Sequence, residues 1–176
     1  LRTHDKPSKI VLLGMSMGGY LAPRAAAFDR RIDGVVAYDV CFDLHEAAAR
    51  TFGVVQQNPL ALKNAGVSWA YHNALWTMGT SNPGDTLQAF SHFRLAPMAD
   101  RICQDVLILA GTQDHFIPYH QVADFEKSLV NAHSVTTRVF DGPSGGGEHC
   151  QCGSISLVHA AVFDWLLKTF AGISQP

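Results

Sequence analysis

Lys9-Ile10-Val11-Leu12-Leu13-Gly14-Met15-Ser16-Met17-Gly18-Gly19 runs from a short aliphatic stretch straight into a serine flanked by glycines. Apolar residues on consecutive positions predict a parallel strand buried on both faces and ending at Gly14. A helical segment follows from about Met17 to Phe28, with Pro23 where a first turn would tolerate it. Strand, turn and helix in that order are the setting in which G-x-S-x-G presents a nucleophile. In so tight a turn, side chains at Gly14 and Gly18 would collide with neighbouring backbone, and Ser16 is expected in a strained φ/ψ that projects its hydroxyl. The helix N-terminus beyond it offers the Met17 N–H to a developing oxyanion. The bland alternative is a Gly/Ser turn with no chemistry.

Outward from this turn, strands alternate with helices. Gly34–Tyr38, Asp105–Ala110 and Val135–Phe140 have the β-branched and aliphatic content of strands, while Tyr119–Asn131 and Ile155–Phe170 show helical spacing, with Ser154 as N-cap of the last. That alternation predicts an α/β fold with a mainly parallel sheet wound on both sides. The stretch from about Leu44 to Ala99 breaks the rhythm. It is rich in Ala, Asn, Gln and aromatics and is interrupted at Asn58-Pro59 and at Ser81-Asn82-Pro83-Gly84-Asp85. Structureless loops beyond ~12–15 residues are uncommon, so a helical cap inserted at 44–99 is expected. Its aromatics either line a substrate pocket or bind the cap to the sheet.

A serine hydroxyl is a weak nucleophile at neutral pH and needs a base, which in turn needs an acid to fix its tautomer. Both follow in the order serine, acid, histidine. Gly111-Thr112-Gln113-Asp114-His115-Phe116-Ile117-Pro118 places Asp114 at the C-terminal end of a strand. The glycine-rich loop after Phe140 carries Glu148-His149-Cys150, and its glycines would let the His149 imidazole bend back to Ser16. Asp39, which ends the second strand, is the competing acid and ranks behind Asp114. His115 and His120 are assigned to packing or surface, and Glu148 to solvent.

The chain has 176 residues, 13 Lys plus Arg and 15 Asp plus Glu, for a net charge of −2. That balance gives no electrostatic case for nucleic acid or an anionic membrane. With 47% hydrophobic and only 16% charged residues, against roughly 25% charged in an average domain, disorder is excluded. No apolar stretch approaches the ~20 residues of a membrane span, and the opening LRTHDKPSKI is unlike a signal peptide. Cys41, Cys103, Cys150 and Cys152 are too scattered for a disulfide framework, and C-x-C lacks a second pair for zinc. Reduced thiols, a cytoplasmic setting and no metal or cofactor are expected.

The stretch GMSMGGYLAPRAAAFDRRI from Gly14, ADRI with the GTQDHFIP loop, and GGEHCQCG followed by FDWL together resemble the α/β-hydrolase superfamily over nearly the whole chain. Within it they are similar to the group of 2,6-dihydroxypseudooxynicotine hydrolase and the fungal pigment-pathway hydrolases that shorten polyketides. The resemblance implies a helical cap and cleavage of a carbon–carbon bond next to a ketone, or of an ester, in an aromatic or polyketide-type substrate. It makes Ser16 the nucleophile or the activator of water, His149 the base and then the acid, and Asp114 the group that orients it. It also implies that residues 1–176 are the C-terminal part of the domain, holding strands five to eight of an eight-stranded sheet. The loop that supplies a second oxyanion N–H would then lie outside the chain, and the opening at Leu1 rather than Met agrees. Besides a small-molecule substrate, a homo-oligomer partner or a missing N-terminal segment is expected, the absent strands leaving an open sheet edge. Two other readings remain: a serine peptidase of the prolyl-oligopeptidase type, disfavoured by the roughly 55 residues inserted from Leu44 to Ala99, and a truncated, non-catalytic fragment that binds a partner.

Overall fold

Side chains alternate across a strand, and in the computed structural model, which describes residues 7–170, that alternation sorts the core into two layers. Strands β1 (Val11–Met15), β2 (Gly34–Tyr38), β3 (Asp105–Gly111) and β4 (Ser134–Phe140) form one parallel sheet in the order β1-β2-β3-β4. Helices α1 (Gly18–Phe28), α2 (Leu44–Gln57), α3 (Ala65–Met78), α4 (Pro83–Phe90), α5 (His120–Ser128) and α6 (Ile155–Phe170) connect and follow them. Val35, Ala37, Val106 and Ile108 point to one face, where they pack with Ala22 and Ala26 of α1 and Val122 and Phe125 of α5. Val36, Tyr38, Leu107 and Leu109 point to the other, against Val158, Val162 and Trp165 of α6. Each fully buried aliphatic or aromatic side chain contributes roughly 1.5–3 kcal/mol. Among the described residues no helix is long and apolar enough to cross a membrane. The opening at Leu1 lies outside the described residues.

Two features differ from the sequence expectation. Among the described residues β1 pairs with β2 alone, and Leu13 and Met15 are 47% and 54% exposed, so the expected burial on both faces is not met within these residues. A continuous apolar run reports what a strand can bury, and the described residues supply it with a neighbouring strand on one side. Helix α1 also begins at Gly18 and passes through Pro23, which therefore sits in its interior. The hydrogen bond lost there is offset by burial of Tyr20, Ala22, Ala26 and Ala27 against the sheet.

Residues 44–90 form three helices, each started by a side-chain cap. Asp43 accepts the Glu46 N–H at 3.0 Å, Asn64 accepts from Gly66 and Val67 at 2.9 and 3.1 Å, and Asn82 accepts from Asp85 at 3.0 Å ahead of Pro83. The Asn-Pro breaks in the sequence are thus start signals. Gly79, at φ 65°, ends α3 in the left-handed region. The insertion leaves and rejoins the sheet through a pinched neck. Leu44 N–H donates to Phe93 O at 3.0 Å, Leu95 N–H to Phe42 O at 2.9 Å, and Arg94 Nε lies 3.0 Å from Asp43 Oδ2. The buried Gln121 of α5 braces this neck, accepting from Asp43 N–H and donating to Asp43 O, each at 3.0 Å.

Candidate active site

Ser16 follows the last residue of β1 and has φ 56°, the strained left-handed conformation that turns a strand sharply into a helix. Its N–H donates to Tyr38 O at 2.9 Å, which ties the turn to the end of β2. The glycines divide the work differently from the sequence expectation. A Cβ on Gly14 would strike the Gly18 carbonyl, but one on Gly18 would meet open space. The second tight glycine is instead Gly19, whose Cβ would strike the Asp39 carbonyl. Met17 precedes α1, and its N–H has no backbone acceptor among the described residues.

Asp114 lies beyond β3 in a turn that it caps itself. Its Oδ1 accepts the N–H groups of Phe116 and Ile117 at 2.7 and 2.9 Å, which leaves Oδ2 to face His149 Nδ1 at 2.7 Å. The His149 loop is stitched to this turn: Gln113 N–H donates to Gly147 O at 2.8 Å, and Gly111 packs so tightly against the Gly147 carbonyl that a Cβ would not fit. Gly145 takes φ 76° where the loop bends back. On the far side of the imidazole, His149 Nε2 lies 2.8 Å from Ser16 Oγ. Ser16, His149 and Asp114 therefore form one continuous hydrogen-bonded run, with the His149 side chain only 12% exposed. A neutral imidazole that donates through Nδ1 to Asp114 and accepts at Nε2 from Ser16 satisfies both contacts.

Above these groups lies a cavity of about 400 Å³. Its floor is Ser16, Met17, His149 and Phe116, and its walls are apolar faces of α2 and α3, including Ala47, Phe52, Trp69 and Ala74, with Phe90 of α4. Asn73, Thr51 and Thr77 supply its few polar groups. His115 and His120 are exposed, His115 Nδ1 standing 3.5 Å from Glu148 and His120 Nε2 standing 3.2 Å from Glu46.

No protein-family model matches the chain. It is 25% identical over 183 residues to the hydrolase LUC6 of Fusarium sp, covering 92% of this chain and 43% of that protein. It is likewise 25% identical to the 20-hydroxy-prefusarin hydrolase FUS2 of Gibberella moniliformis, covering 93% and 44%. Among solved structures it superposes on the Pyrococcus furiosus esterase Pf2001 with a TM-score of 0.64 at 18% identity, over 93% of this chain and 54% of that one. It matches 2,6-dihydroxy-pseudo-oxynicotine hydrolase with a TM-score of 0.61 at 21% identity, over 88% and 38%. For the α/β hydrolase GrgF from Penicillium sp. sh18 the values are 0.60 and 15%, over 90% and 63%.

The fold is that of the α/β-hydrolases. The chain spans less than half the length of the curated relatives it matches. Within this α/β-hydrolase framework, burial and charge oppose each other at the imidazole. Burial disfavours the charged form of His149, but its hydrogen bond to Asp114 and the charges of Asp114 and Asp39 outweigh that and raise its pKa above the ordinary 6.5. Burial acts on Asp114 too, yet its contacts with His149 and the two backbone donors hold it below the usual carboxylate value.

Asp39, weighed from the sequence as a competing acid, is placed by the same α/β-hydrolase framework 3.5 Å from His149 Nδ1, farther than Asp114. Burial raises its pKa most strongly, against the lowering effect of its donors Gln151 and Cys150. Asp39, His149 and Cys150 have donor atoms within 4.8 Å of one another, a spacing a metal could use. Nδ1 already faces Asp114, however, and burial pushes the Cys150 thiol pKa upward, so its thiolate is disfavoured. Sequence reasoning missed Tyr38, which donates to Cys150 O in the histidine loop, and Gln151, which lies in that loop and donates to Asp39; the partners in each contact are more than a hundred residues apart in the chain.

Proposed function

We propose that this chain carries the nucleophile, base and acid of a serine hydrolase. Its substrate is a small aromatic or polyketide-type molecule, cleaved at a carbon–carbon bond next to a ketone or at an ester. The observation that carries this reading is the hydrogen-bonded run from Ser16 Oγ through His149 to Asp114 Oδ2. The hydrolase names of the matched relatives support the reaction class, and the apolar, aromatic walls of the cavity support the substrate class.

In this reading Ser16 Oγ attacks the substrate carbonyl while His149 Nε2 takes the hydroxyl proton. Asp114 stabilises the imidazolium that forms, and the Met17 N–H faces the oxyanion. The bond beside the carbonyl then breaks. Its electron pair leaves on an enolate carbon or an alkoxide oxygen, which takes the proton back from His149. Water, deprotonated by His149, releases the acyl group from Ser16. Alternatively, Ser16 and His149 together activate a water for direct attack. A cytoplasmic setting goes with this reading, where the four free thiols would stay reduced.

The test is treatment of the complete gene product with a fluorophosphonate probe, followed by peptide mapping. Label on Ser16 is expected. Absence of label, together with unchanged hydrolysis in His149→Ala, would overturn the reading.

A further inference from the structure

Cys150 and Gln151 directly follow the base histidine, and both occupy the left-handed backbone region, at φ 54° and 43°. Two consecutive non-glycine residues in that region are unfavourable on their own and persist only when surrounding contacts hold them. The holding contacts come from two adjacent residues at the end of β2. Tyr38 Oη donates to Cys150 O at 2.5 Å, and the Asp39 carboxylate accepts the Cys150 N–H. The other Asp39 oxygen accepts from Gln151 Nε2 at 3.0 Å. The two peptide groups that flank the Cys150 Cα are therefore both held, one through its N–H and the other through its C=O.

The grip is itself anchored. Asp39 N–H donates to Leu109 O of β3 at 2.9 Å, its own backbone is left-handed at φ 53°, and Gly19 of α1 packs against its carbonyl. Asp39 is 2% exposed and both of its carboxylate oxygens face donors. An asparagine would turn an NH₂ toward one of those donors and leave it unpaired.

We propose that Tyr38 and Asp39 form a clamp on the backbone either side of Cys150 that sets the position of His149, and that Asp39 is a positioning residue whose charge also supports the imidazolium. This rests on the reading of Ser16 as nucleophile and His149 as base. Asp114 remains the direct partner of Nδ1, at 2.7 Å against 3.5 Å for Asp39. The titratable groups facing Asp39 are His149, Asp114, Cys150 and Tyr38. Those facing His149 are Asp39, Asp114 and Cys150, with His115 of the acid turn at 6.2 Å between ring centres and itself opposite Glu148.

The experiment compares Asp39→Asn, Tyr38→Phe and Ser16→Ala in the complete gene product, using p-nitrophenyl ester hydrolysis across pH and circular dichroism to check folding. Tyr38→Phe should lower kcat about tenfold with KM and the acid limb unchanged, since it removes one holding bond but no charge. Asp39→Asn should lower kcat further and move the acid limb of kcat/KM about one unit to lower pH, because a negative charge beside His149 is lost. A folded Asp39→Asn with an unmoved limb overturns the proposal. If Asp39→Asn does not fold, Tyr38→Phe decides: wild-type kcat overturns the clamp and a loss of kcat at constant KM supports it. Hydrolysis surviving in Ser16→Ala would instead remove the underlying reading, a result distinct from failure of the clamp alone.

Discussion

Ser16 Oγ and His149 Nε2 lie 2.8 Å apart although 133 residues separate them in the chain. The contact is made at the C-terminal edge of the parallel sheet, where the turn after β1 and the loop after β4 are brought together over the ends of β2 and β3. In the proposed mechanism, replacing Ser16 with alanine removes the attacking atom while the fold is expected to stay unchanged. Hydrolysis is expected to fall at least ~10³-fold, with an unchanged circular dichroism spectrum.

Asp114 performs two tasks with two oxygens, closing its own turn with Oδ1 and facing the imidazole with Oδ2. Asp114→Asn keeps the turn but presents an NH₂ to Nδ1, which favours the wrong tautomer. The expected outcome is a loss of ~10³–10⁴ in kcat with an unchanged circular dichroism spectrum.

The raised pKa of His149 fixes the direction of the pH dependence. As the proposed base, His149 would work only when neutral, so kcat/KM should fall as pH drops through a value above the ordinary 6.5. Stability runs the other way for this residue: its favourable contribution is complete below 6.5 and is lost as pH rises through the folded value. For Asp114, whose folded pKa is lowered, the contribution is present above 3.8 and is lost as pH falls through the folded value. A pH series of activity and of thermal melts separates these effects.

Gly14 and Gly18 look equivalent in G-x-S-x-G, but only Gly14 has backbone where a Cβ would sit. Gly14→Ala should cost about 3 kcal/mol or more, seen as a lowered melting temperature. Gly18→Ala, at the open first position of α1, should be neutral or slightly stabilising.

Ala70 and Ala74 of α3 line the cavity opposite Ser16. Ala74→Trp should fill part of it and raise KM about tenfold for bulky aromatic esters, with a much smaller change for an acetate ester. Steady-state kinetics on the two esters reads the difference.

The parts of the site carried by local turn chemistry were legible in the sequence. Ser16 sits between a strand and a helix whose signals are short-range, and the Asp114 turn is built from its own backbone within three residues. The α/β fold followed from the alternation of elements. Exposure of Leu13 and Met15 among the described residues was not legible, because an apolar run does not tell which strands stand beside it. Neither was the passage of α1 through Pro23, where burial overrides local preference. The Tyr38 and Asp39 contacts to Cys150 also escaped, since a strand-end tyrosine or aspartate carries no local mark of the distant loop it meets.

The neck at Phe42–Leu44 and Phe93–Leu95, clasped by Asp43 and Arg94, gives the insertion a single doorway. Everything between those positions enters and leaves the sheet at one point, while Ser16, Asp114 and His149 all lie outside the segment. In the proposed reading, the walls that would select a substrate and the groups that would react with it thus lie on separable lengths of chain. The helices from α2 to α4 are a unit attached at that one point, while the strand register beneath is set by its own pairing.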